Sequence, residues 1–442
     1  MLQTFKNAWK VPELKNKIFF TLMILLLYRI GANLYVPYVN VTLIEQISFS
    51  NTALEFLSLI SGGALAQASF FALSVSPYIT ASIVIQLLTV AIPALEKLSK
   101  QGEEGKKKLT KYTRILTVVL AAVTAYGYVM LLSNYNGYNY LMVSRADGVF
   151  YWFAVAVMVA CFCAGASIVM WLAEKIDAHG IGNGISMVLF ANIISGFGMT
   201  ASQLYYMVIA ESTALGYVLA GLKIVISILL TIVAVGFIVW FTNSERRIPI
   251  QYAKRVVGRK MYGGQSSNLP LKLNMAGVMP VIFASSIVSI PATIAGFMGS
   301  DSKFAAWVTK WLGQTSPIYI VLNVILILLF SYFYIMISFN PIEVSNNIRN
   351  QGGAVPGIRP GKPTADYIKK ILNRITLLGA IFLLVIQVVP MIINAILVAC
   401  DVYFTSLAFT GTSLLIVVGV ALEVVRDLEA QLAMRNYKGF LD

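Results

Sequence analysis

The 442-residue sequence has little charge and little cysteine, and both shortages restrict its class. Charged residues make up 12% of the chain, while 58% of the residues are hydrophobic and the mean hydropathy is +0.78. Soluble domains carry roughly a quarter charged residues, so a soluble enzyme is excluded. The three cysteines are too few for a disulfide framework, and Cys161 and Cys163 diverge on a helix because they are two residues apart.

Motifs of catalysis and of ion pumping are also missing. The sequence has no GxxxxGK[ST] phosphate loop, no HExxH and no CxxC, so we expect no catalytic residue, metal or cofactor. The HGIGNG segment (179–184) lacks GxGxxG spacing and predicts a helix break instead. Ionisable residues within apolar runs are few, namely Arg29, Lys223 and Glu423, and Arg29 is placed where it can snorkel outward. This scarcity argues against proton or sodium coupling.

Long apolar runs are what the sequence has in abundance. A bilayer core about 30 Å thick needs about 20 mostly apolar residues per helix. Such runs predict an all-α polytopic membrane protein with ten transmembrane helices. The predicted spans are 18–38, 69–92, 115–132, 149–172, 185–200, 217–240, 273–297, 318–339, 375–397 and 404–425.

The positive charge indicates how these spans are oriented. With the N-terminus inside, 28 of the 33 Lys and Arg fall in cytoplasmic segments and three in outer loops, which predicts both termini in the cytoplasm. The organisation is then an N-terminus (1–17), an N-terminal half with spans 1–5 (18–200), an outer loop with span 6 (201–241), a basic loop (242–272), spans 7–8 (273–339), a second basic loop (340–374), spans 9–10 (375–425) and a tail (426–442).

Two basic cytoplasmic loops contain more local pattern than orientation requires. In the first, Ile248, Ile250 and Tyr252 alternate with polar residues before two glycines at 263 and 264, which predicts a short hairpin. In the second, the spacing of Gly and Pro predicts a rigid tip near Arg359. Rigid basic loops indicate docking of a large anionic or acidic partner; the alternative is solvated charge that only sets orientation.

Five long motifs, in order and spread over nearly the whole chain, resemble one family. They are SGGALAQASFFALSVSPYITASIVIQLLTVAIPALEKLSKQGEEGKKKLTKYTR (61–114), EKIDAHGIGNGIS (174–186), QYAKRVVGRKMYGGQSSNLPLKLNMAGVMPVIFASS (251–286), GIRPGKPT (357–364) and GTSLLIVVGVALE (411–423). The sequence is similar to SecY, the channel subunit of the bacterial protein translocase. The resemblance implies that spans 1–5 and 6–10 form two inverted five-helix halves around a central pore.

The resemblance also implies a pore ring of branched apolar side chains. A hydrophobic constriction dewets, so it blocks ions and offers a passing chain no fixed partner. In each of two pairs, Ile79 with Ile83 and Ile185 with Leu189, the residues are four apart and share a helical face. The alternative is that these are ordinary core or lipid-facing aliphatics. The matching positions are Ile79, Ile83, Ile185, Leu189, Ile282 and Ile416.

A second closure is implied just before span 2. Residues 57–67 (LSLISGGALAQ) are too short to cross a bilayer, and two glycines make the segment easy to displace. In the family such a segment is the plug, a short helix that blocks the outer funnel; a re-entrant loop is the alternative. The plug residues are Leu57, Ser58, Leu59, Ile60, Ser61, Gly62, Gly63, Ala64 and Leu65.

A sideways exit is implied between spans 2 and 3 on one side and spans 7 and 8 on the other. Polar residues on these spans are candidates to close this lateral gate through weak interhelical hydrogen bonds. They are Thr80, Ser82 and Gln86 facing Asn274, Ser285 and Ser286.

The implied function is a protein-conducting channel that moves unfolded secretory proteins across the bacterial cytoplasmic membrane and releases membrane segments into lipid. The implied partners are SecE, SecG, the SecA motor, the ribosome, signal peptides and unfolded precursors. A secondary transporter for a small solute is the alternative. The predicted docking residues, with Arg359 foremost because it lies in GIRPG, are Arg246, Arg247, Lys254, Arg255, Arg259, Lys260 and Arg359.

Overall fold

The computed structural model describes residues 2–44, 55–133, 139–143, 146, 148–209, 214–252, 255–257, 260–262, 266–298, 302–313, 316–399 and 411–438, and these are mostly helical. The helices are α1 (Leu2–Trp9), α2 (Pro12–Ala32), α3 (Val41–Ile44), α4 (Glu55–Ile60), α5 (Ser76–Ala91), α6 (Pro93–Ser99), α7 (Glu103–Ser133), α8 (Val149–His179), α9 (Gly184–Ile209), α10 (Ala214–Asn243), α11 (Met279–Met298), α12 (Lys303–Leu312), α13 (Pro317–Ser338), α14 (Pro341–Asn350), α15 (Lys362–Ala399) and α16 (Gly411–Lys438). The strands are β1 (Glu245–Tyr252), β2 (Arg255–Val257), β3 (Lys260–Tyr262), β4 (Ser266–Lys272) and β5 (Gly353–Ala354).

Start signals in the sequence explain several helix boundaries. Helices α13 and α14 begin at Pro317 and Pro341, where a missing N–H is harmless. The preceding Ser316 and Asn340 are N-caps, whose side chains accept hydrogen bonds from backbone N–H groups of the first turn. Ser316 accepts from Tyr319 at 3.2 Å, and Asn340 accepts from the second residue of α14 at 3.1 Å. These boundaries therefore follow from local chemistry.

Several helices meet the requirement for crossing a membrane. Among the described residues, five helical stretches are long and apolar enough, and α5 with α6, bent by 107° at a short break, would make a sixth. Shorter apolar stretches occupy Gly184–Gly198 and Met279–Ala295, within predicted spans 5 and 7. The chain is a multi-pass membrane protein.

The start of the second predicted span is wrong. The run 69–92 was expected to be helical throughout, but residues 61–75 form turns and α5 begins only at Ser76. Ala68 and Ser74 have positive φ values of 45° and 47°, which a helix does not allow. Hydropathy alone cannot detect this break because the residues are apolar or small.

The HGIGNG segment separates α8 from α9, which confirms the predicted helix break. Gly182 has a φ of +72° and its N–H donates to Asp427 of α16 at 3.0 Å. Asp177 accepts from the Gly184 N–H at 2.6 Å.

The chain is not all-α, because the first basic loop and the start of the second form two small sheets. β1 pairs antiparallel with β4, with Ile248 opposite Leu269, which confirms the predicted hairpin. Ile248 and Ile250 are buried while their neighbours along β1 are exposed. The two glycines expected at the turn, 263 and 264, lie outside the described residues. β5 adds a third strand beside β1, and its two residues are too few to leave a sequence pattern.

The hydrophobic core is divided among several clusters. The largest joins side chains from α2, α5, α9, α11, α13, α15 and α16 at the centre of the molecule. A second lies between α7, α8 and the segments that precede them. A third packs the three-stranded sheet on the beginning of α15, through Ile248, Ile250 and Ile368. The central cluster is the one that positions the candidate site.

Replacing Gly165 by alanine should destabilise the protein by about 1–3 kcal/mol, because a Cβ on α8 would lie 1.9 Å from the Phe70 carbonyl oxygen. Thermal unfolding of the purified protein in detergent measures the effect. The matched control is Gly236→Ala in α10, where a Cβ meets no atom within 4 Å. Equal unfolding temperatures for the two variants would contradict this close approach of α8 to the turns before α5.

Candidate functional site

The predicted pore ring residues come together at the centre of the bundle. Ile79, Ile83, Leu189, Ile282 and Ile416 belong to the central hydrophobic cluster, and each is at most 6% exposed. Ile185 is partly buried and packs against the same cluster. Four helices supply these side chains, namely α5, α9, α11 and α16. The arrangement is an aliphatic centre in which no one helix provides the whole surface.

The plug segment (57–67) packs against this aliphatic centre but is less helical than the resemblance implies. α4 ends at Ile60, and the following residues form turns in which Gly62 and Gly63 have φ values of +64° and +84°. α4 packs on α9 and α11, and Ile60 and Ala64 join the same cluster as the ring residues. Leu57, Ser58 and the two glycines are half-buried, while Ser61 and Leu65 are buried.

A buried polar cluster lies beside the plug segment, and sequence reasoning missed it. The Asn192 amide nitrogen is 2.6 Å from the Ile60 carbonyl oxygen, 2.9 Å from the Tyr28 hydroxyl and 3.2 Å from the Ser74 hydroxyl. Tyr28 and Ser74 are themselves 3.0 Å apart. These three side chains are at most 1% exposed, so each depends on the others for hydrogen bonding. The cluster links α2, the turns before α5, the plug segment and α9.

Arg29 extends this cluster. Its Nη1 nitrogen lies 3.5 Å from the Asn192 side-chain oxygen. A Cβ added to Gly62 would lie 2.9 Å from that same Nη1 nitrogen. Arg29 therefore turns inward to the plug segment, and the expected snorkelling is wrong. The signal was available, because an ionisable residue inside a span is costly and usually has a partner. The partner was not identifiable, since Asn192 is 163 residues away.

A second buried donor reaches the plug segment from α7. The Tyr128 hydroxyl donates to the Leu65 carbonyl, and the Tyr128 ring packs edge-on against Phe162 of α8 at 5.3 Å between centroids. Tyr128 is 6% exposed and Phe162 fully buried. Two carbonyls of the plug segment therefore accept hydrogen bonds from two different helices.

The predicted lateral gate residues lie on neighbouring helices without bonding across them. α11 packs against both α5 and α7. Thr80 donates to the Ser76 carbonyl at 3.1 Å and Gln86 to Ser82 at 3.3 Å, both within α5. On the opposite side, Ser285 and Ser286 are buried within α11 and Asn274 is half-buried before it. The bonds that Thr80, Ser82 and Gln86 make therefore stay within α5.

Arg359 lies at an exposed tip between β5 and α15. Gly357 and Gly361 flank it with φ values of +79° and +100°, which form the turn that the Gly and Pro spacing predicted. Thr364 donates to the Arg359 carbonyl at 2.8 Å and Ser345 to the Gly361 carbonyl at 2.7 Å. The backbone under the Arg359 side chain is thus fixed from both sides.

The hairpin supplies the other predicted docking cations. Arg246 and Arg247 are exposed on β1, and Arg247 pairs with Glu245 at 2.6 Å. With Arg374 of α15 they line an open groove at the base of the hairpin. The pKa of the nearby Lys272 ammonium is lowered chiefly by burial, and Arg426 lowers this pKa further. Of the remaining predictions, Lys254 and Arg259 lie outside the described residues, and Arg255 and Lys260 lie on β2 and β3.

Several apolar helices long enough to cross a membrane contribute to one buried aliphatic cluster, and this defines the chain as a multi-pass membrane protein. A sequence model of the SecY family matches residues 69–425. The chain belongs to the SecY family, and its function is that of a protein-conducting translocase subunit.

Relatives extend over the full length of the chain. The protein translocase subunit SecY of Streptomyces coelicolor is 44% identical over 452 residues, and that of Bacillus subtilis 41% over 455, with all of both chains covered in each case. Among solved structures, a protein-conducting channel matches with a TM-score of 0.63 at 18% identity, covering 96% of each chain. Sec61 in a canine ribosome–channel complex matches with a TM-score of 0.61 at 17% identity, also covering 96% of each. These two likenesses concern the fold.

Proposed function

We propose that the chain is the central channel subunit of a translocase in a bacterial cytoplasmic membrane, with ten spans and both termini in the cytoplasm. Spans 1–5 and 6–10 form two inverted halves around a pore. The division of Lys and Arg, 28 inside to three outside, supports the orientation. The bacterial origin of the full-length relatives supports the compartment.

The observation that carries the channel mechanism is the convergence of aliphatic side chains from four helices. Ile83 of α5, Leu189 of α9, Ile282 of α11 and Ile416 of α16 share one buried cluster. A constriction of such side chains excludes water and ions at rest, and it offers no hydrogen bond that would retain a passing polypeptide. The plug segment covers this ring from the outer side, where its glycines allow it to move.

Release of membrane segments uses the boundary of α11 with α5 and α7. About ten Leu-like residues of a signal peptide gain on the order of 3–6 kcal/mol by leaving an aqueous pore for lipid. That gain is sufficient to bias a two-state opening. Side chains that bond only within their own helix, such as Thr80 and Gln86, leave this boundary held chiefly by packing, which favours opening.

Energy for transport comes from partners, and the channel itself carries out no catalysis. The exposed cations Arg246, Arg247 and Arg359 form a docking surface for the SecA motor and for the ribosome, together with Lys254, Arg255, Arg259 and Lys260. Multiple cations suit rRNA phosphates or an acidic protein surface. A fold neighbour, Sec61, is found in a ribosome–channel complex, which supports the ribosomal partner. SecE and SecG complete the assembly in the membrane.

Reconstitution tests this function. Vesicles containing the chain with SecE and SecG should import a signal-bearing precursor when SecA and ATP are supplied, and the same precursor without its signal peptide should stay outside. Protease protection of the precursor measures import. Uptake of small solutes with no precursor import would overturn the proposal in favour of a solute transporter.

A further inference from the structure

The plug segment is held by hydrogen bonds at two of its own carbonyls, Ile60 and Leu65. The donors are side chains of α9 and α7, Asn192 and Tyr128. Both donors are buried, and Asn192 is fully so. The Leu65 carbonyl also accepts from the Ala68 N–H at 3.2 Å, so Tyr128 is a second donor there. In a dry interior a buried carbonyl is costly to leave without a donor. The residues of the plug segment that contact the ring are therefore fixed by polar groups from outside the segment.

The position of Asn192 connects this contact to the pore ring. Ile185, Leu189 and Asn192 are spaced by four and three residues along α9, so they share one helical face. Asn192 thus lies next to the ring, about one turn along the helix. Its amide oxygen faces the Arg29 guanidinium, which directs its NH₂ group to the plug segment and to Tyr28 and Ser74. A leucine at this position would match the ring residues in character but donate nothing.

The backbone that follows the plug segment is strained, and side-chain donors help to hold it in place. Ala68 and Ser74, which flank the step from the plug segment into α5, adopt positive φ values that cost non-glycine residues free energy. The Ser74 side chain bonds to Tyr28 and Asn192. Tyr128 bonds to the carbonyl of Leu65, three residues before Ala68. Strained backbone persists only where its surroundings hold it, so loss of either donor favours release of the segment.

We propose that Asn192 and Tyr128 are positioning residues that form a polar latch, and that this latch stabilises the closed position of the plug segment. The inference rests on the plug assignment made above. When the segment is displaced, its carbonyls and both donors become accessible to water, so the hydrogen bonds stabilise the closed state more than the open one. The latch sets how much of the resting population has the plug segment in place over the ring.

The test uses the full channel complex with three variants, Asn192→Leu, Asn192→Asp and Tyr128→Phe. Aspartate keeps the size of Asn192, and leucine keeps its branched shape with bulkier methyl groups. Both remove the NH₂ donor, and phenylalanine removes one oxygen atom of Tyr128. Two readouts are taken: hydrogen exchange of backbone amides in residues 60–69, and resting anion flux from vesicles. Tyr128→Phe should exchange about tenfold faster in this segment and leak about tenfold more, the ratio for one lost hydrogen bond. The Asn192 variants should exceed it, because the Asn192 amide nitrogen bonds to three acceptors.

Matched controls separate the latch from loss of any buried polar group. Asn323→Leu removes an equally buried asparagine whose amide donates within α13, to Tyr319 at 3.1 Å. Tyr151→Phe removes a buried hydroxyl whose contact is Met130 of α7, at 3.9 Å. Neither control should change exchange in residues 60–69.

The two readouts also distinguish the latch from the plug. Unchanged exchange in residues 60–69 in all three variants overturns the latch. Faster exchange with no added flux keeps the latch and overturns the sealing role of the plug segment. If Asn192→Leu fails to assemble, Tyr128→Phe, which alters no packing volume beyond one atom, decides alone.

Discussion

Replacing Arg359 by glutamate should lower SecA-driven precursor import by more than about 100-fold, the loss expected when a central charged contact is reversed. The side chain is exposed at a tip whose backbone is fixed by Thr364 and Ser345, so the new carboxylate would occupy the same place. Like charges then face each other if the partner surface is acidic or phosphate-rich. The measurement is import into vesicles with purified components, alongside the amount of assembled complex.

Two variants in the same loop make this result specific. Lys370→Glu introduces the same charge change on an exposed side chain of α15, eleven residues from Arg359, and should reduce import only slightly. Arg359→Lys keeps the charge and loses the planar fork, so partial import would indicate that bidentate contacts matter. Equal import by Arg359→Glu and the unmodified complex would remove Arg359 from the docking surface.

Much of the fold follows from three local signals in the sequence. Apolar runs place helices within the expected spans because lipid requires about 20 apolar residues for each crossing. The alternation of Ile248 and Ile250 with exposed residues predicts the β1–β4 hairpin, since a strand has a period of two. The GIRPG turn at Arg359 follows from Gly and Pro spacing alone. Each of these signals is local, and each is preserved in the folded chain.

The parts that sequence reasoning missed depend on contacts between distant residues. Asn192 meets Ile60, which is 132 residues away, and Tyr128 meets Leu65, which is 63 residues away. No spacing rule connects such residues, and a single polar residue in an apolar run has many possible roles. The late start of α5 belongs to the same class, because Ser74 adopts its positive φ under the influence of tertiary partners.

At the lateral gate, the same sequence signal is compatible with two different structural roles. Polar residues on and just before α11 are predicted to face those on α5, and α11 does pack on α5. Small polar side chains in apolar helices also satisfy themselves on the preceding turn, as Thr80 does with Ser76. Composition cannot distinguish these two uses, because both need a hydroxyl or an amide at the same position. The proposed gate therefore rests on the contact between α5 and α11, and it does not depend on particular side chains.

Replacing Ile83 and Ile282 together by glycine should give a resting ion conductance in planar bilayers, where the unmodified complex is silent. The two side chains come from α5 and α11, are 3% and 4% exposed, and contribute to the same cluster. Removing both leaves space that water can fill, and a hydrated constriction no longer excludes ions.

The glycines themselves weaken a helix by about 1 kcal/mol each, so a matched double variant is needed. Val90→Gly with Ile294→Gly makes the same kind of change on the same two helices at exposed positions, 57% and 44% accessible. Only the first pair should leak if the aliphatic centre is the seal, because the second pair faces away from it. Equal currents from the two pairs would mean that helix weakening, and not the loss of the ring, opens the path.

Silence in both would mean that ions are stopped elsewhere along the axis, for instance by the plug segment alone. Combining Ile83→Gly and Ile282→Gly with Tyr128→Phe would then raise the current only if the latch and the ring act in series.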